Sequence, residues 1–191
     1  MSCQLMNLNK IGLSELLDAL QKSQNIKCSL NVTPPACSRL SKTCKAFTLE
    51  ICGKSIVFYL SKERLFTPSG SEIGGEYHHE KEFVWITLSR GKQRARQIIV
   101  HELAHVLQDA FKGWPPETKG SLSNEKQVQL YEKYYYHFDD FYASYNDVEA
   151  AAEVFRALFN FKESDELWAH NPDLLADYEA YWNGILQKLL Y

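Results

Sequence analysis

Apolar residues follow two periods along this chain, and the change from one to the other divides it. Ser14 followed by Glu-Leu-Leu-Asp-Ala-Leu-Gln-Lys reads as an N-capped amphipathic helix, which the stretch Asn31 to Pro35 brings to an end. Ala46 to Cys52 and Ser55 to Leu60 are rich in apolar, β-branched and aromatic residues and flank Gly53-Lys54, the layout of a β-hairpin. Residues 61–80 are polar and carry Pro68, Gly70, Gly74 and Gly75, which predicts a mobile loop, and Glu82 to Leu88 predicts a third strand. From there the period is helical. A long helix is expected from about 91 to 111, capped by Ser89 and closed by Gly113 and Pro115-Pro116, followed by helices at about 124–141, 147–161 and 172–190. A helix, a short sheet and then helices is the order of an α+β fold.

Within the long helix, Ala95, Ile99, Leu103, Val106 and Ala110 form an apolar stripe, and His101 and His105 point roughly 140° away from it. Together with Glu102 these histidines make H-E-x-x-H. Two histidines four residues apart share a helix face and can reach one zinc ion, while Glu102, one step on, can take a proton from water on the metal. The bare pattern arises by chance in something on the order of one chain in a hundred, but its place inside an apolar helix just after a strand speaks against two solvated histidines.

Catalytic zinc needs a third protein ligand and an open position. His78, His79, His137 and His170 are candidates, but the first two lie in a polar loop and are expected to face solvent, and the other two have no partner at ligand spacing. The segment 146–156 is better: Glu149, Glu153, Arg156 and Asn160 fall on one helix face, with Val148, Ala151, Phe155, Leu158 and Phe159 on the other. Glu149 could instead complete a capping box with Asn146, and Glu153 could pair with Arg156 on a solvated face. Ala150-Ala151-Ala152 favour the ligand role, because small residues let this helix lie close to Ala104. Glu149 is then the third ligand, and Glu153, one turn on, accepts the free ring N–H of a histidine, His101 above all.

Composition narrows the function classes. A length of 191 residues fits one domain, and a formal charge of −3 gives no long-range attraction to nucleic acid or anionic lipid, so a protein or peptide partner is expected. No apolar run approaches the roughly 20 residues that span a bilayer. The start of the chain lacks a Sec-type signal, which predicts a chain cytoplasmic as synthesised, or exported by a signal-independent route. Cys3, Cys28, Cys37, Cys44 and Cys52 form no C-x-x-C pair and read as reduced packing thiols, with one bridge among Cys28 to Cys52 left open.

From about Glu82 to Tyr191 the chain resembles the anthrax lethal factor-like metallopeptidases, a gluzincin group that includes the Pro-Pro endopeptidases. The resemblance rests on H-E-x-x-H at 101–105, Glu-x-x-Ala-Glu-x-Phe at 149–155, the 44 residues from His105 to Glu149, and a tyrosine, Tyr142, seven residues before Glu149. It implies a zincin-like domain with a small, mostly antiparallel sheet packed on the active-site helix. Within the single domain 1–191, residues 1–45 are a helical lead-in, 46–112 the sheet and H-E-x-x-H helix, and 113–191 a helical half bearing the third ligand. It also implies one zinc ion on His101, His105 and Glu149, Glu102 as general base, and Tyr142 as stabiliser of the oxyanion. The strand 82–88 would be the sheet edge on which an extended substrate adds, with loops 61–80 and 113–123 setting specificity. Two departures stand out: the export signal of the secreted members is missing, and Ala150-Ala151 replaces a bulkier pair.

The expectation is therefore a zinc-dependent endopeptidase, in a form that an injected bacterial effector or a resident enzyme would share. Two alternatives compete. An intracellular peptidase that cleaves a regulator also uses H-E-x-x-H but finds its third ligand sooner. A non-catalytic, zinc-stabilised binding module would close its site with a fourth protein ligand and has no need of Glu102.

Overall fold

The computed structural model describes residues 26–30, 45–51, 54–112, 124–138, 143–158 and 170–190. They form an α+β fold with a five-stranded mixed sheet and four helices. The strands are β1 (Ile26–Leu30), β2 (Lys45–Ile51), β3 (Lys54–Ser61), β4 (Leu65–Phe66), β5 (Glu72–Ile73), β6 (Gly75–His78) and β7 (Phe83–Thr87). The helices are α1 (Lys92–Lys112), α2 (Glu125–Tyr134), α3 (Asp147–Leu158) and α4 (Pro172–Leu190). The expected helix over 14–21, Tyr142 and the segment 113–123 lie outside the described residues.

The hairpin is present as β2 and β3, with Ile51 opposite Lys54, one residue away from the turn that Gly53-Lys54 predicted. The sheet order is β1-β2-β3-β7-β6, and β3–β7 is its one parallel pairing. Two expectations are corrected here. Residues 26–30 are an edge strand rather than part of a helical lead-in. Residues 61–80 are not one loop: β4 and β5 pair with each other, and β6 pairs antiparallel with β7, so β7 is an inner strand and β6 takes the edge. The ladder continues past β6, where Thr87 N–H donates to the Gly74 carbonyl at 2.9 Å.

Alternation in β3 and β7 sends Ile56, Phe58, Val84 and Ile86 to the face that α1 covers, and all four are buried. α1 starts after Gly91, whose φ of 89° lies in the left-handed region and whose carbonyl accepts the Ala95 N–H. Ser89 is not the cap; its hydroxyl is bonded to Thr87 Oγ1 at 2.8 Å. α2, expected over about 124–141, begins after an Asn124 cap but ends at Tyr134, followed by a 3-10 turn over Tyr135–His137 and then an extended Phe138, which is buried.

α1 is buried on more than its apolar stripe. Ala95, Leu103, Val106 and Ala110 are covered and Ile99 half-covered, but Gln97, Glu102, His105, Gln108 and Asp109 are buried too. α3 packs against the histidine face, the close approach that Ala104 and Ala150-Ala151-Ala152 predict. Ala104, Ala150, Ala151 and Ala152 have no exposed surface, and behind α3 the Trp182 ring of α4 packs tilted against Phe155, centroids 4.4 Å apart, and donates to the Ala151 carbonyl.

Candidate metal centre

α1 and α3 bring three donor atoms together. His101 Nε2 and His105 Nε2 are 3.1 Å apart, and Glu149 Oε2 lies 3.2 Å from the first and 3.6 Å from the second. A tetrahedral ion with bonds of about 2.0–2.1 Å has donor-to-donor edges of about 3.3 Å, so a triangle of this size fits a small transition-metal ion. Two imidazoles and one carboxylate also suit zinc, although the donor set alone does not single it out. Among the described residues no fourth His, Cys, Asp or Glu joins the group.

Each donor is aimed by a neighbour. Asn146 caps α3, its Oδ1 accepting the Glu149 N–H at 2.9 Å, while the Glu149 carboxylate turns to the histidines. The capping role and the metal-facing role thus belong to different parts of the same residue. Glu153 Oε1 stands 2.8 Å from His101 Nδ1, off the straight line of the ring N–H, and Glu153 Oε2 accepts from Arg156 Nε at 2.8 Å and from Arg156 Nη2. Glu153 therefore serves both partners at once, and it does so buried, not on a solvated face.

His105 is held by a chain of side chains that the sequence did not reveal. Asp147 Oδ2, which can only accept, takes a hydrogen from Gln127 Nε2 at 2.7 Å, and Gln127 Oε1 accepts from Gln108 Nε2 at 3.0 Å. That leaves Gln108 Oε1 to accept from His105 Nδ1 at 2.9 Å. The direction of the chain fixes the tautomer: Nδ1 carries the proton, and the Nε2 lone pair faces the triangle. Tyr181 joins by donating to Gln127 Oε1 at 2.6 Å, so α1, α2, α3 and α4 all contribute to orienting one imidazole. A polar residue three positions after His105 was the available signal.

The electrostatics match this arrangement. Burial by itself would lower the His101 pKa, but Glu153, Glu149 and Glu102 outweigh it and raise it to about 10. Burial would raise both acidic partners. The two histidines instead hold Glu149 well below the usual carboxylate range, and His101 with Arg156 holds Glu153 down at about 2. Glu102 goes the other way: burial raises its pKa, His101 and His105 pull it back, and Glu149 and Glu76 add to the rise. A carboxyl raised in this way is a better proton acceptor.

The triangle opens into a cleft that α1, α3 and β6 wall, with Gly75, Glu76, Tyr77, Glu102, Arg94 and Arg156 among its lining. β6 lies close to α1. A Cβ on Gly75 would stand 2.6 Å from Ile98 Cγ2 and 3.0 Å from Glu102 Oε1, and Tyr77 Oη donates to Asp109 Oδ2 at 2.7 Å. Of the other histidines, His79 lines the cleft and His78 pairs with Glu76 at 3.1 Å, both half-buried rather than solvent-facing. His137 and His170 are exposed and outside the metal group. Compared with known proteins, the chain matches no family model, no curated protein and no solved structure.

Proposed function

We propose that this chain is a zinc-dependent endopeptidase that hydrolyses a peptide bond in a protein or peptide substrate. The observation that carries the reading is the His101–His105–Glu149 triangle, which opens on a cleft with Glu102 buried beside it. Zinc in that triangle would supply Lewis acidity that makes water acidic enough to lose a proton near neutral pH. Glu102 would accept that proton and return it to the leaving amine. Gln108 and Glu153 keep the imidazoles in the tautomer and orientation the triangle requires. Among the described residues β6, rather than 82–88, forms the sheet edge that an extended substrate would join. Tyr142 keeps the oxyanion role that the lethal factor-like resemblance implies. The absence of a fourth ligand among the described residues, together with the buried Glu102, favours turnover over a closed structural site.

The test is metal content by mass spectrometry beside cleavage of a peptide library. Wild type is expected to hold about one zinc per chain and Glu149→Ala none. Glu102→Gln should keep the metal and lose cleavage by about 10²–10⁴-fold. Wild type that takes up no zinc when it is supplied, or Glu102→Gln as active as wild type, would overturn the reading.

A further inference from the structure

The cleft is electrically polarised along its length. α1 and α3 run antiparallel: Gln108 donates to the Val148 carbonyl, His105 and His101 face Glu149, and His101 faces Glu153. Continuing in that sense, Arg156 of α3 comes opposite the stretch of α1 that holds Gln97 and Arg94, and these residues line the cleft together with Arg90. Two of the three guanidinium groups have acidic partners. Arg156 is paired with Glu153, and Arg90 faces the Glu72 carboxylate at 3.5 Å and donates to the Glu72 carbonyl. Arg94 differs. It is exposed, its Nη1 donates to the neutral amide oxygen of the buried Gln97 at 2.8 Å, and no carboxylate stands within ion-pair distance among the described residues.

We propose that Arg94, supported by Arg90 and Arg156, is a carboxylate-binding subsite that reads the substrate about three residues to the C-terminal side of the bond cut. The proposal rests on the peptidase reading above. Its spacing follows from the helix: seven residues separate Arg94 from His101, which at about 1.5 Å each is about 10 Å, or about three residues of extended peptide. Its polarity follows from β6, which runs in the same sense as α1, with Gly75 beside Ile98 and Glu102 and Tyr77 reaching Asp109. A strand added antiparallel to β6 therefore runs against α1 and carries its C-terminal half toward Arg94. A guanidinium held at its Nη1 by an amide leaves its Nε and Nη2 N–H groups as a fork, the geometry that a carboxylate accepts. The carboxylate can be an Asp or Glu side chain or the free C-terminus of a short peptide.

Zinc-loaded full-length chain would be assayed on quenched peptides sharing one cleavable core. Glu, Gln or Lys is placed at each of four positions on either side of the bond, and the C-terminus is either amidated or free. Glu should exceed Lys in kcat/KM by about tenfold at one position near the third residue on the C-terminal side, since the swing counts an attraction gained and a repulsion removed. Arg94→Glu should abolish or invert that preference, and Arg94→Lys should keep it in weakened form. A preference confined to free-acid peptides identifies the terminal carboxylate as the ligand; one that persists in amides identifies the side chain. Cleavage indifferent to charge, a preference unchanged in Arg94→Glu, or an acidic preference only on the N-terminal side overturns the subsite and leaves the peptidase reading standing. No cleavage of any peptide by zinc-loaded wild type overturns the peptidase reading, and the subsite with it.

Discussion

Glu153 and Gln108 do for the two imidazoles what the triangle cannot do for itself. Glu153 holds one oxygen near His101 Nδ1 and the other on Arg156, while Gln108 ties His105 to Gln127 and, through it, to Asp147. Removing either partner frees a ring to rotate, so Glu153→Ala and Gln108→Leu should each weaken zinc binding by about 10–100-fold, read by competition with a chromophoric chelator. A second expectation concerns protons. His101, raised to about 10, is protonated at neutral pH in the metal-free chain, and a metal needs its neutral form. Zinc uptake at pH 7 should therefore release close to one proton from His101, seen calorimetrically as a binding enthalpy that varies with the ionisation enthalpy of the buffer. The same shift sets a stability window. Because the folded value lies above the ordinary 6.5, the His101 contribution in metal-free protein is complete below about pH 6.5 and is lost as the pH rises through about 10. Thermal melts between those limits should show Tm falling in chelator. At this scale the sequence was a good guide to His101, His105, Glu149 and Glu153, because helical spacing alone places them on facing surfaces. It was silent on Gln108 and Gln127, whose value depends on which helix comes to lie opposite.

Among the elements, β6 departs most from what the chain suggests. Gly-Glu-Tyr-His has no apolar alternation of its own, and its strand conformation comes from pairing with β7 and from contact with α1. Phe83–Thr87, in contrast, is legible at once as a strand, while its edge position is what the resemblance alone implies, and the unrecognised β6 takes that place. β1 was passed over for a related reason: Ile26, Cys28 and Leu30 do alternate, but five residues are too few to stand out from a helical lead-in. The closeness of β6 to α1 depends on Gly75. Its Cβ would meet Ile98 Cγ2 at 2.6 Å and the Trp85 carbonyl oxygen at 2.9 Å, and backbone cannot swing aside. Gly75→Ala should then cost about 1–3 kcal/mol in urea denaturation and displace the edge from the cleft. An equal Cm for wild type and variant would show that β6 stands further from α1 than described.

For the molecule as a whole, the helical half acts as a brace for Glu149. Trp182 is fully buried, packs against Phe155 and donates to the Ala151 carbonyl, so α4 presses α3 toward α1. Trp182→Ala should cost about 3–5 kcal/mol in chemical denaturation and loosen metal binding as α3 settles into the space. α4 was legible in both limits and period, but which of its three aromatic residues, Tyr178, Tyr181 and Trp182, faces α3 was not. The two helices that carry the His-His-Glu triangle are also far apart in the chain: 44 residues separate His105 from Glu149. An ion shared between them would tie that stretch into a ring and constrain the unfolded chain as a cross-link does. Ring-closure entropy grows only logarithmically, by about 0.6 kcal/mol for each doubling of length. Adding or removing residues between His105 and Glu149 should therefore change the closure cost of the metal-bound chain by only a fraction of the binding energy.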